Sequence, residues 1–164
     1  MTKRGFVYKR KSIYFCDMDK PAYPFNVNEY GQHFEFQSIS KGRIIQKVVE
    51  FRELEISNIY NLALVDVKED GTFDDMTVSN NQDMETIIAT VIRIIQVFLI
   101  FKPTAKVLFM GSTASRTRLY RGIINKYLAE AEQIYEIHGI IDWENEPFQG
   151  HKTYDAFLIF PKIS

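Results

Sequence analysis

Tyr60-Asn61-Leu62-Ala63-Leu64-Val65-Asp66-Val67-Lys68-Glu69-Asp70-Gly71-Thr72-Phe73-Asp74-Asp75-Met76-Thr77-Val78 is the stretch on which the fold class turns. Asp70-Gly71 supplies the backbone freedom that a tight turn needs, and the runs on either side have strand composition. The stretch therefore predicts two antiparallel arms, Tyr60 to Val67 and Thr72 to Val78. Directly after it the period changes. Met84, Ile87, Ile88, Val91, Ile92, Ile95, Phe98 and Leu99 recur at helical spacing, and Ile94 and Val97 widen the apolar arc, which predicts a deeply buried helix. Asn80, Asn81 and Asp83 are candidate N-caps, and Pro103 marks the helix end. Glu85, Arg93 and Gln96 interrupt the run, so a core helix accounts for Met84 to Phe101 better than a membrane span does.

Working toward the N-terminus, Arg43 to Phe51 and His33 to Ile39 flank Ser40-Lys41-Gly42 and predict a second hairpin, with Phe34 and Phe36 on one face. Asp17 to Tyr30 contains Pro21, Pro24, Asn26 and Asn28 and reads as a loop. Phe6 to Phe15 reads as a strand. Toward the C-terminus, Ala105 to Met110 is a short apolar strand and Gly111 to Ser115 a turn. A second helix is predicted from about Arg116 to Gln133, with the stripe Leu119, Tyr120, Ile123, Ile124, Tyr127, Leu128 and Ala131. Strands at Tyr135 to Ile141 and Thr153 to Pro161 close the chain around a loop holding Trp143, Pro147 and Gly150. Hairpins first and helices later predict an α+β fold: a mostly antiparallel sheet of about seven to eight strands with two helices packed on one face. A doubly wound parallel sheet does not fit, because only the strand near Val107 has a helix on each side.

The 164 residues, 46% hydrophobic and 14% aromatic, suit one globular domain spanning residues 1–164. Twenty basic and 21 acidic residues leave a net charge of -1, which does not support nucleic acid as a partner, although a local basic patch could still engage it. The single cysteine, Cys16, rules out an internal disulfide and argues against a cysteine zinc site. With no apolar run at the N-terminus suited to a signal peptide, the expected location is cytoplasmic, with no membrane association. Tyr8, Tyr14, Phe15, Tyr23, Phe25 and Tyr30 mingle with N-terminal lysines and arginines, a mixture seen in single-strand binders and, more often, in ordinary cores.

The segment best suited to chemistry is Gly111-Ser112-Thr113-Ala114-Ser115-Arg116-Thr117-Arg118-Leu119-Tyr120. A helix start offers backbone N–H groups and a dipole that attract anions. Ser112, Thr113 and Ser115 add hydroxyls, and Arg116 and Arg118 add forks matched to phosphate or carboxylate. The lysine of a Walker loop is missing. Serine or threonine at a helix start is also an ordinary cap, and Arg116 leans toward the apolar stripe, where a carboxylate would have to meet it. Asp66 shares a strand face with Leu62 and Leu64 and is the expected partner.

Asp66, Glu69, Asp70, Asp74 and Asp75 form an acidic cluster, but most of it flanks a hairpin turn, where Asp is favoured locally, so no metal is expected. His33, His138 and His151 show no ligand spacing. No cofactor motif occurs.

His33-Phe34-Glu35-Phe36, Lys41-Gly42-Arg43-Ile44, Tyr60-Asn61-Leu62 with Asp66, Ser79-Asn80-Asn81-Gln82-Asp83, Ala89-Thr90-Val91 and Gly111-Ser112-Thr113 with Arg116-Thr117-Arg118-Leu119-Tyr120 together resemble a family of small uncharacterised bacterial proteins, a domain of unknown function. The resemblance spans residues 33 to 160. The chain departs from it at Leu64-Val65-Asp66, where the family tends to have a glycine before the aspartate, and at Ile39-Ser40-Lys41-Gly42, where it often has a Gly-Pro turn. The resemblance implies no activity; it groups Asp66, Asn81, Asp83 and Arg116 as one constellation. Three functions follow. The first is a binding or interaction module engaging a nucleotide or nucleic-acid phosphate at the second helix start. The second is a phosphoryl-handling enzyme using Asp66 and Asp83 with Arg116 and Arg118. The third is a structural or protein-partner-binding protein.

Overall fold

The computed structural model describes residues 6–7, 21–71, 73–74 and 83–162. In chain order the elements are β1 (Phe6–Val7), β2 (Phe25–Val27), β3 (His33–Ser40), β4 (Arg43–Glu53), β5 (Ile59–Val67), β6 (Phe73–Asp74), α1 (Met84–Phe101), β7 (Lys106–Phe109), α2 (Ala114–Ala131), β8 (Tyr135–Ile141), β9 (Glu144–Pro147) and β10 (Ala156–Pro161). This is an α+β fold with a mostly antiparallel sheet and two helices. Of the pairings whose register is described, only β5 with β7 is parallel. The chain forms two compact units: one takes the chain as far as Arg52 together with Ala63–Lys102, the other Glu53–Leu62 and everything from Pro103 on. β5 thus gives its first half to the second unit and its second half to the first.

In the first unit, Ser40 pairs with Arg43, so the β3–β4 turn is the two residues Lys41 and Gly42. Their φ values of 48° and 74° are both left-handed, as a turn matching the strands' twist requires. Cross-strand partners share a face: Phe34 opposes Val49 and Phe36 opposes Lys47. α1 covers that face. Its Phe98 ring stacks on Phe51 at 3.9 Å between centroids, and its Phe101 ring lies so close to Gly31 that a Cβ there would stand 2.5 Å from it. Ile87, Ile94 and Phe98 of α1 are buried to 2% exposure or less, whereas Ile88 and Ile92 are half-buried. α1 is long and apolar enough to cross a membrane, but 56% of it is buried within the protein, which accounts for its composition.

The Asp70-Gly71 hairpin is present. Val67 opposes Phe73 and Asp66 opposes Asp74, and Gly71, at φ 82°, donates its N–H to the Lys68 carbonyl at 2.8 Å. The rest of the second arm lies outside the described residues, as does most of the expected Phe6 to Phe15 strand. The Asp17 to Tyr30 segment is not all loop. Phe25 and Val27 alternate about Asn26 and pair with Phe36 and Phe34. Two apolar residues at strand spacing override the neighbouring Pro24 and Asn28, because burying them against β3 outweighs local turn preference.

In the second unit β10 lies between β7 and β8, and β8 pairs with β9. Ile124, Ile137, Phe148, Tyr154 and Phe157 form its core. Gly139 is required mid-strand: a Cβ there would stand 2.2 Å from the Tyr154 ring. α2 begins at Ala114, ahead of the expected Arg116, and of its predicted stripe only Ile124 is fully buried, with Leu119 exposed. The predicted loop after Ile141 contains β9. Ile141 opposes Glu144, leaving Asp142-Trp143 as a two-residue turn. Glu-Asn-Glu-Pro carries no strand signal in its composition. Its pairing comes from the turn and from an edge position, where proline is tolerated.

Candidate functional site

The start of α2 is built around Thr113, whose extended backbone (φ −133°, ψ 159°) precedes the helix and whose Oγ1 accepts from the Arg116 N–H at 3.2 Å. That is an N-cap geometry, and it satisfies one of the N–H groups the helix ladder leaves over. Thr117, buried one turn in, donates its hydroxyl to the Thr113 carbonyl at 3.2 Å and accepts from the Gly111 N–H at 3.1 Å. Gly111 is pressed against the helix: a Cβ on it would stand 2.4 Å from the Thr117 nitrogen. A strand end, a glycine and two threonines thereby fix the turn. Outside this knot, Arg116 Nη1 donates to Ser112 Oγ at 3.3 Å and Arg118 Nη2 to Ser115 Oγ at 3.2 Å. Ser112, Thr113, Ser115 and Arg118 are exposed and Arg116 half-buried. Burial raises the pKa of the Tyr120 hydroxyl, against the opposing pull of the Arg116 charge.

The remaining predicted residues do different work. Asp66 is paired with Lys47, not Arg116: Lys47 Nζ lies 2.5 Å from Asp66 Oδ1. Lys47 is 3% exposed and Asp66 9%. The spacing of Asp66 on the core face of its strand is as expected; its partner is a lysine whose burial the sequence hides, since Lys47 looks like a surface residue between Gln46 and Val48. It faces inward because it opposes Phe36. Asp83 precedes α1 but makes no side-chain cap bond. Its Oδ2 accepts instead from the Tyr23 hydroxyl at 2.7 Å. Tyr23 ties three segments together: its N–H donates to Thr90 Oγ1 at 2.8 Å, its hydroxyl accepts from the Ile39 N–H at 3.1 Å, and its ring stacks on Phe36. Burial, reinforced by the Asp83 carboxylate, raises its pKa. Asn81 lies outside the described residues. Asp66 and Asp83 belong to the first unit and the α2 start to the second.

Sequence reasoning also missed a buried polar group in the first unit. Ser38, diagonal to Lys47 on the same strand face, is wholly buried, as is Gln96 of α1; Ser38 Oγ and Gln96 Nε2 have no hydrogen-bond partner among the described residues. Among the described residues there is no group of three or more His, Cys, Asp or Glu side chains placed to hold a metal.

The structural class is α+β, a mostly antiparallel sheet with two helices. The chain belongs to the Family of unknown function (DUF6934), whose model matches residues 19–162. No curated protein matches it, and no solved structure does.

Proposed function

We propose that the chain is a binding module that takes a phosphate-bearing anion at the start of α2. The supporting observation is the pairing of Arg116 with Ser112 and of Arg118 with Ser115 beside the helix's first N–H groups. The neutral Ser115 hydroxyl anchors the exposed Arg118 fork without cancelling its charge, and the helix dipole adds to the same potential. A net charge of -1 favours a small ligand such as a nucleotide over a long polyanion, whose binding depends on many cationic contacts. The phosphoryl-handling alternative gains no support from its carboxylates, since Asp66 is bonded to Lys47 and Asp83 to Tyr23. A cytoplasmic location, where nucleotides are abundant, is part of this proposal.

The test is a thermal-shift titration of the full chain with inorganic phosphate and with ADP, comparing wild type with Arg118→Ala. Phosphate stabilises many proteins merely by exclusion from their surface, so the difference between the two proteins is the measurement. A site half-saturated at one hundredth of the ligand concentration adds about 2.7 kcal/mol in wild type. Arg118→Ala should lose that gain while its ligand-free stability moves by no more than about 0.5 kcal/mol. Equal shifts in both proteins, or none in either, would overturn the proposal.

A further inference from the structure

Two hairpin tips, one in each unit, carry exposed apolar side chains inside rings of opposite charge. At the β8–β9 tip Trp143 is 98% exposed, the most exposed large apolar side chain among the described residues. It occupies a left-handed backbone position (φ 68°) beside Asp142 (φ 51°). Bulky residues avoid that region, and the turn is held in place by Asp155, whose Oδ2 accepts from the Asp142 N–H at 3.1 Å. The structure therefore carries a rigidly mounted indole, fully in water, among the exposed carboxylates of Asp142, Glu144 and Asp155. At the β3–β4 tip Ile39 and Ile44 are direct cross-strand partners, 56% and 64% exposed. They sit beside Lys41 and Arg43, both exposed, and Ile39's backbone is pinned by the Tyr23 hydroxyl.

We infer that these tips bind each other between copies of the chain: Trp143 of one copy covers Ile39 and Ile44 of a second, with Asp142 and Glu144 facing Lys41 and Arg43. Charge complementarity selects this occupant. An acidic-rimmed aromatic calls for a cationic surface with an apolar centre, and this chain carries one on a preformed turn. Tryptophan and arginine are also the side chains that most often anchor interfaces. Because the two surfaces differ, the contact is head to tail, closing into a ring or continuing as an open chain of subunits. Two hairpin tips form a small interface, so association is weak and appears only as concentration rises.

Sedimentation velocity of the full chain over a wide concentration range tests this. Trp143 is the only tryptophan, so its emission gives an independent reading. The weight-average mass should rise with concentration, Trp143 emission should shift to the blue in parallel, and added salt should reverse both. Trp143→Ala and Ile44→Ser should each hold the chain monomeric, with circular dichroism unchanged because both side chains are exposed. Asp142→Lys/Glu144→Lys should not self-associate, nor should Lys41→Glu/Arg43→Glu, but an equimolar mixture of the two should. A wild-type chain that stays monomeric throughout would overturn the inference. So would association that survives Trp143→Ala or Ile44→Ser, or reversed-charge variants that fail to associate when mixed.

Discussion

Lys47 and Asp66 show what a single buried pair demands. Each would be expensive to bury alone, because desolvation of an unpaired charge exceeds what packing returns. Removing one partner is therefore the severe change. Lys47→Met strands a buried carboxylate and should cost about 3–5 kcal/mol, read from the urea midpoint at neutral pH. Lys47→Met combined with Asp66→Leu should recover most of that loss, since a well-packed apolar pair of similar volume is often as stable as the ion pair it replaces. A double variant as unstable as Lys47→Met would mean that the pair also satisfies other buried groups, with the Ser38 hydroxyl the nearest candidate on that strand face. The site residues behave differently. Ser112, Ser115 and Arg118 are exposed, so their removal should leave stability nearly untouched and change only what binds.

At the level of elements, α1 is the piece whose loss the first unit could least withstand. Helical spacing alone implicates Ile88 and Ile92 as much as any other apolar position, but packing separates them. Phe98 is fully buried and stacked on Phe51, and Ile94 is fully buried, while Ile88 and Ile92 lie at the margin. Phe98→Ala should cost about 3–5 kcal/mol. Ile88→Ala and Ile92→Ala should fall clearly below that, and chemical denaturation of the three variants would rank them. Equal losses would place the core boundary elsewhere on the helix. The start of α1 differs in kind from the start of α2. Thr113 caps α2 with its own side chain, whereas Asp83 turns its carboxylate to Tyr23, so one Asx/Ser/Thr signal produced a cap and the other a tertiary bond.

For the whole molecule, stability should depend on pH through the bonds that tie β9 to the loop before β10. Glu146 accepts from Lys152 Nζ at 2.8 Å and from the Tyr154 hydroxyl at 2.8 Å. These bonds, that from Lys152 first, hold the Glu146 pKa below its ordinary 4.5. The same bond raises the pKa of Lys152 above 10.5. A depressed carboxylate contributes stability that is present above its unfolded pKa and is lost as pH falls through the folded value. A raised lysine contributes stability that is fully present below its unfolded pKa and is lost as pH climbs through the folded value. Both are in force at neutral pH. The denaturation midpoints of wild type and Lys152→Met should therefore differ at neutral pH and converge as the pH drops below about 4.5. A difference that stays constant down to strongly acid pH would exclude the Glu146 linkage. Both side chains are half-buried yet still reached by solvent, so the effect should also shrink with salt.

Local chemistry was enough to place several features. The Lys41-Gly42 and Asp70-Gly71 turns, the helix from Met84 to Phe101 and the strand from Tyr135 to Ile141 all rest on near-neighbour preferences, and neighbours in sequence carry that information. Other features depended on residues far apart in the chain. Phe25 and Val27 became strand only because Phe36 and Phe34 lie opposite. Asp142-Trp143 became a turn only because β8 had an edge to pair with Glu-Asn-Glu-Pro. Lys47, a surface residue by type, became the partner of Asp66 because its strand register turned it inward beside Phe36. Sequence determined which residues could turn, cap and alternate. The tertiary structure decided which charges met, because burial and pairing depend on which strands lie side by side, and composition does not record that.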